Sequence, residues 1–359
     1  MRSSTSNSEL FEKRDIPQKP LGVLFVLAIA ITIVGLGIAE WQVRKAGYVP
    51  SRMLDLDFWA NHRFKLDAKP EDQTVLLGAS RMSFGLDHDQ WEESTGQRPF
   101  NLSLHGASFL PMLTEYAQND KFKGTVVCSY APGFTFANEV IPFSERLLMQ
   151  INKLEDDRHS LAIRASEWTG SAIQGNLAIL NQYVFAPVSM SLDFWHSEQR
   201  ENMYPPFWMP RSFHRTSENS DQFVDEVIDQ PWCIEQWDIL HKSVIRYKER
   251  FEPRDFEKLL HQMKQDVEQI RNRGGEVILV RFPVAIWFRE WEEQHFPRNE
   301  YWDVMIEETG CRSFHFLDHD ETQSIIPPDA SHMKVSQAKQ FTKALAQFIY
   351  ALQDGQQEE

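Results

Sequence analysis

The run from Leu21 to Ala39, LGVLFVLAIAITIVGLGIA, contains no charged residue. As a helix it spans about 28 Å, one bilayer hydrocarbon core. The apolar core of a secretory signal is shorter, about 7–15 residues, and here a polar segment precedes the run. Gly37-Ile38-Ala39 resembles a cleavage site, yet the length favours a retained span. A helix buried in a soluble core would carry a polar face, and this one has none. The chain therefore divides into a tail over 1–20, a transmembrane helix over 21–40 and a remainder outside the bilayer. Arg2, Lys13, Arg14 and Lys19 precede the span, and Arg44, Lys45 and Arg52 follow it, so the positive-inside bias is small. A tail this short carries little else. The expected arrangement is a single pass through the plasma (inner) membrane, with a cytoplasmic tail and an extracytoplasmic, periplasmic main domain.

Residues 41–73 connect the span to that domain, with a short docking helix expected near Asp57–Phe64. From Thr74 the pattern is that of an α/β protein. Thr74–Leu77 is a short apolar run ended by Gly78. Asp87–Gly96 reads as a helix between an N-cap and a glycine stop. Phe100–Leu104 reads as a strand, Leu110–Asp120 as a helix and Thr125–Tyr130 as a third strand closed by Pro132-Gly133. Pro253–Gly274 repeats apolar residues every three and four positions, as a helix does. Val277–Val280 has the continuous apolar character of a central parallel strand. Phe314–Leu317 reads as another strand, and Ser336–Leu352 as the closing helix. Between them, about 134–250, the rhythm is lost in a stretch rich in Trp, Phe, Met and Pro. It reads as an insertion of helices and loops whose aromatics form core or lid rather than a partner surface. The whole domain covers 74–352, with a disordered tail over 353–359. Alternating strands and helices give a mostly parallel sheet with helices on both faces, which binds ligands at the carboxyl ends of its strands.

Composition removes several functions. The formal net charge is -15, and phosphate backbones are bound by clustered Lys and Arg, so nucleic acid is not an expected partner. The three cysteines, Cys128, Cys233 and Cys311, lie far apart with no CxxC or Cys/His spacing, which argues against a zinc site. Neither GxGxxG nor a Walker pattern is present, so nucleotide binding has no support. His315, Asp318, His319 and Asp320 read as a solvated acidic loop rather than a metal cluster.

Two short motifs carry chemistry. Gly78-Ala79-Ser80-Arg81 follows the first strand, and Asp329-Ala330-Ser331-His332 opens the last amphipathic stretch. A serine hydroxyl needs a base to become a nucleophile. A turn between strand and helix exposes its oxygen and aims backbone N–H groups at a developing oxyanion. In this reading Ser80 is the nucleophile, His332 the base and Asp329 the acid that orients the imidazole. Each motif alone also fits ordinary turn or helix-cap chemistry; together, on one predicted rim, they point to acyl transfer.

With these residues the chain resembles the SGNH (GDSL-like) hydrolase superfamily. Gly78-Ala79-Ser80 resembles its first block, with Ala in place of Asp. Asn101-Leu102-Ser103-Leu104-His105-Gly106 resembles the second, and Asp329-Ala330-Ser331-His332 matches its Asp-x-x-His block. The resemblance covers roughly 74–133 and 276–352. It implies a flavodoxin-like three-layer α/β/α fold, and esterase, lipase or acyltransferase activity without a metal or organic cofactor. It also implies an oxyanion hole from the N–H groups of Ser80 and Gly106. The third block's Asn is missing: its place reads Ser129-Tyr130-Ala131-Pro132-Gly133, with Asn101 as a substitute donor. The similarity extends to the membrane-anchored branch that acts on envelope polysaccharides. Tethering suits a large or membrane-bound substrate, an acylated glycan or lipid, with envelope-complex proteins as further partners. A non-catalytic glycan-binding or scaffold protein is the alternative. Arg81 and Arg281 are candidates for contact with an anionic substrate, a structural salt bridge being the other reading of Arg81. His105 reads as incidental.

Overall fold

The computed structural model describes residues 20–45, 48–52, 56–69, 71–136, 161–181, 212–216, 218–248 and 256–355. All but the last residue of the expected tail over 1–20, and much of the insertion, lie outside these residues. Helix α1 (Leu21–Lys45) takes in the whole charge-free run and ends on Arg44 and Lys45. An 18-residue window of it has a mean hydropathy of 2.8, so it is long and apolar enough to cross a membrane. Helix α2 (Leu56–Asp67) follows. Then come β1 (Thr74–Leu77), α3 (Ser80–Gly85), α4 (His88–Thr95), β2 (Phe100–Asn101), α5 (Leu110–Gln118), β3 (Thr125–Ser129) and α6 (Pro132–Thr135). The insertion contributes α7 (Leu161–Thr169), the antiparallel pair β4 (Phe213–Arg215) and β5 (Asp221–Phe223), α8 (Asp225–Ile228) and α9 (Pro231–Lys248). The chain closes with α10 (Phe256–Asn272), β6 (Glu276–Arg281), α11 (Ile286–His295), α12 (Trp302–Thr309), β7 (Arg312–His315) and α13 (Val335–Gly355).

Five strands form one sheet in the order β2-β1-β3-β6-β7, every pair parallel. The central runs are apolar at every position because helices cover both faces. Val75, Leu77, Val126, Cys128, Val277 and Leu279 face one cluster, closed by α2, α5, α10 and α12. Leu76, Val127, Ile278, Val280 and Phe314 face the other, closed by α3, α4, α11 and α13. The order reverses direction between β1 and β3, which opens a crevice at their carboxyl ends. Ser80 begins the helix that leaves β1 at that point.

Several boundaries differ from the sequence expectation. The strand expected over Phe100–Leu104 is regular only over Phe100–Asn101. Its ladder persists through Leu102 N–H to Leu76 O (3.0 Å) and Leu104 N–H to Gly78 O (2.9 Å), which carries His105 and Gly106 to the rim. The insertion holds a hairpin as well as helices and loops. Helix α13 runs to Gly355, into the expected disordered tail. The cap and stop of α4 are as expected: Asp87 accepts from Gln90 N–H, and Gly96 is left-handed.

Gly78 has a φ of +146°, and a Cβ there would lie 2.6 Å from Ser129 Cβ. The close approach of β1 to β3 below Ser80 thus requires glycine on both backbone and steric grounds. Gly78→Ala is expected to lower stability by about 1–3 kcal/mol, the usual overpacking penalty. A thermal midpoint unchanged from wild type would mean that the two strands separate there at no cost.

Candidate active site

Ser80 opens α3 directly after Gly78-Ala79 and is half-buried. The loop before α13 supplies the partners. Pro327 O accepts from Ala330 N–H, and Ala330 takes a left-handed φ of 69°. That turn folds the backbone over the Asp329 carboxylate. Oδ1 accepts from the N–H groups of Ser331 (3.0 Å) and His332 (2.6 Å). Oδ2 lies 2.6 Å from His332 Nδ1. His332 Nε2 in turn lies 2.7 Å from Ser80 Oγ. The structure thus brings Ser80, His332 and Asp329, far apart in sequence, into one hydrogen-bonded line. With Asp329 accepting from Nδ1–H, the lone pair of His332 falls on Nε2, facing the serine hydroxyl, the arrangement needed for proton transfer.

Burial alone would raise the Asp329 carboxyl. The charge and hydrogen bonds of His332, with His241 nearby, overcome it and bring the group down to about 2. Asp329 therefore stays ionised wherever the imidazole is useful.

The surroundings of His332 come largely from the insertion. Phe84, Trp237 and His241 approach its ring at centroid distances of 4.6, 5.3 and 5.5 Å. Phe84, Phe223, Ile228, Cys233 and Trp237 form a small core of their own. Phe223 and Trp237 of the insertion thus act as core beside the site, while Trp168 and Trp232 are exposed. His241 was not foreseen. It sits on α9 with Nε2 3.9 Å from Asp329 Oδ2, and nothing in its local sequence marks it. Burial first, then His332 and Arg81, push its imidazole down to about 4, against the pull of Asp329. His241, Asp329 and His332 offer ligand atoms within 4.8 Å of one another, a set of a type that can hold a metal ion. The 2.6 Å contact between Asp329 and His332 already engages two of the facing atoms, and a metal would have to displace that proton.

The other site candidates need correction. Arg81, as its salt-bridge reading has it, and Arg281 are held in one buried ion-pair cluster. They are 3% and 6% exposed and converge on Glu292, itself 3% exposed, from α11. Arg81 Nη2 lies 2.8 Å from Glu292 Oε1, and Arg281 pairs with Oε2. Arg81 Nε also donates to Ser331 Oγ (3.1 Å), next to His332. Helix α11 was not expected, so their partner could not be named. Asn101 is fully buried. Its Oδ1 accepts from Ser103 N–H (3.0 Å) and its amide faces His88, so it is committed to the interior rather than to an oxyanion. Gly106 sits half-buried in the loop after β2 with φ 72°. The place of the missing third-block Asn holds buried Tyr130, Ala131 and Pro132. His105 is not incidental: it contacts Asp221 at 2.7 Å, which Arg215 also holds, and so joins the β2 loop to the hairpin. His319 stacks on Phe314, and Asp318 pairs with Arg298.

These buried groups set an acid response. Burial, with Arg281 and Arg298, lowers the His315 imidazole to about 3. The folded chain keeps His241 and His315 neutral, while the unfolded chain protonates them below about pH 6.5. The unfolded state then binds more protons, so stability falls as pH falls. Burial raises the Glu292 carboxyl, but Arg281 and Arg81 bring it down to about 2. Its stabilisation, like that of Asp329, is complete above the unfolded carboxyl value of about 4 and lost toward 2. The thermal midpoint is expected to decline from pH 7 through pH 4 without a plateau. A flat profile between pH 7 and 5 would contradict the neutral state of the two histidines.

No protein-family model matches the chain, and no curated protein matches it in sequence.

Proposed function

We propose that this chain is a membrane-anchored serine esterase or O-acyltransferase of the SGNH (GDSL-like) type, acting on an acyl ester of an envelope glycan or lipid. The observation that carries the reading is the 2.7 Å contact between Ser80 Oγ and His332 Nε2, with Asp329 behind the ring. The strand order, 2-1-3-4-5 when counted within the sheet, is that of flavodoxin-like folds and supports the family assignment. The long apolar α1 supports anchoring, with the main domain on the extracytoplasmic side.

In this mechanism His332 takes the Ser80 proton as Oγ attacks the ester carbonyl. The N–H groups of Ser80 and Gly106 receive the oxyanion. His332 then returns the proton to the leaving alcohol, and water or an acceptor hydroxyl resolves the acyl-enzyme. A side-chain oxyanion donor is worth about 10²–10³ in rate, so a hole built from backbone groups alone predicts a slow enzyme. That gap in the third block is what favours the rival reading, a non-catalytic glycan-binding or scaffold protein. Labelling with a fluorophosphonate separates the two. The wild-type chain is expected to be labelled at Ser80, and Ser80→Ala is not. Equal labelling of two folded samples would remove the catalytic reading.

A further inference from the structure

The exposed apolar face of α7 and the turn that follows it is not used by the site. Glu40 is the first charged residue after the apolar run of α1. Its carboxylate accepts from the backbone N–H groups of Ala178 (2.9 Å) and Ile179 (2.8 Å). One turn further on, Arg44 Nη2 donates to Asn176 O at 2.9 Å. The segment 176–179 is therefore fixed at the polar end of the span, where headgroups begin. Trp41, 61% exposed, sits at the same level, as interfacial tryptophans do.

From that point the chain runs back through a π-helical turn, Gly170–Gln174, into α7. A helix over 161–174 is about 21 Å long, so none of it is far from the end of α1. One side of it is held against the domain. Gly170 is buried, and a Cβ there would lie 1.7 Å from Arg52 Nη1. Arg52 stacks on Phe58 of α2 at 4.5 Å and donates to Gln174 Oε1 at 3.2 Å. The other side faces outward. Leu161 is 80% and Trp168 72% exposed, followed by Ile173 at 40% and Leu177 at 38%. Ala162, Ala165, Ser166, Thr169 and Ala172, uncharged and also exposed, lie among them. A soluble surface rarely gathers such residues unless they meet another phase or a partner.

We propose that segment 161–177 lies on the bilayer surface as a second membrane contact, with Leu161, Trp168 and Ile173 inserted among the lipids. Continuity with the end of α1 selects lipid over a protein partner: the same backbone that presents these side chains is hydrogen-bonded to the residue that ends the span. Two contacts rather than one fix the tilt of the domain, and so hold the Ser80 rim at one height above the lipid.

Spin labels in the full-length chain, reconstituted into phosphatidylethanolamine/phosphatidylglycerol vesicles, test this. Single labels are placed by Leu161→Cys, Trp168→Cys and Ile173→Cys. The native Cys128, Cys233 and Cys311 are buried and do not compete. Glu268→Cys, on the exposed face of α10, serves as the aqueous reference, and Val26→Cys, within α1, as the lipid reference. Collision with oxygen is expected to exceed collision with a nickel chelate at 161, 168 and 173, as at Val26, and the reverse at Glu268. Nickel accessibility at the three sites equal to Glu268 would overturn the proposal. Protection from both reagents would overturn it too, by showing a protein partner or a second copy on the face. A water-like signal at Val26 would remove the span itself, a failure separate from that of the surface contact.

Discussion

Asp329→Asn is expected to lower ester turnover about 10⁴-fold while leaving the fold in place. The amide has the shape of the carboxylate and keeps an oxygen for the N–H groups of Ser331 and His332, which Asp329 Oδ1 now accepts. Its nitrogen must then take the place of Oδ2, 2.6 Å from His332 Nδ1. Two N–H groups cannot share that contact, so Nδ1 becomes the acceptor and the ring proton moves to Nε2. There it faces Ser80 Oγ as a donor, and the base is lost without any atom of the ring moving. The variant should melt near wild type, show a deep fall in kcat and a small change in KM on a p-nitrophenyl ester. A loss of less than tenfold would mean that His332 does not depend on Asp329 for its tautomer, and the orienting role would fall.

The sheet was legible where strands are buried on both faces. Val75–Leu77, Val126–Cys128 and Val277–Val280 are continuous apolar runs because their neighbours on either side are helices. β2 was less so, since its boundary depends on where the chain leaves the ladder and not on side-chain pattern. Helices α11 and α12 escaped notice. The sequence of α11, IWFREWEEQH, mixes large aromatics with charges, and its buried side includes the polar Glu292. A helix that buries a carboxylate breaks the apolar period by which helices are found. That one omission also left the partner of Arg81 and Arg281 unnamed. Arg81 lies past the end of β1 and Arg281 ends β6, yet an arginine at a strand end looks the same in sequence whether it meets substrate or a buried partner. Ser80, Asp329 and His332 were legible because their local turns are encoded by neighbours: Gly78 below the serine, the prolines Pro327 and Pro328 before the acid. His241 and Trp237 reach the site through tertiary packing of the insertion, for which no local signal exists.

Glu292→Ala is expected to be the most destabilising single change at the site. Removing one partner of a buried ion pair costs about 3–5 kcal/mol, because the remaining charge stays buried without compensation. Here two guanidiniums would be left, each less than a tenth exposed. Against a typical domain stability of about 5–15 kcal/mol, that loss is large enough to lower expression as well as the thermal midpoint. Glu292→Gln keeps one acceptor and most of the packing, and should fall between alanine and wild type. Replacing the trio together, with Arg81→Met, Glu292→Leu and Arg281→Met, removes charge and countercharge alike, and such exchanges are often neutral or stabilising. Turnover need not follow stability. Arg81 Nε holds Ser331 Oγ at 3.1 Å, one residue from His332, so the apolar trio frees the loop that aims the imidazole. Recovery of the melting midpoint without recovery of turnover would separate the two duties of Arg81. A loss under about 1 kcal/mol for Glu292→Ala, the range of solvent-exposed pairs, would mean that water reaches the cluster and that it is not the buried anchor its geometry describes.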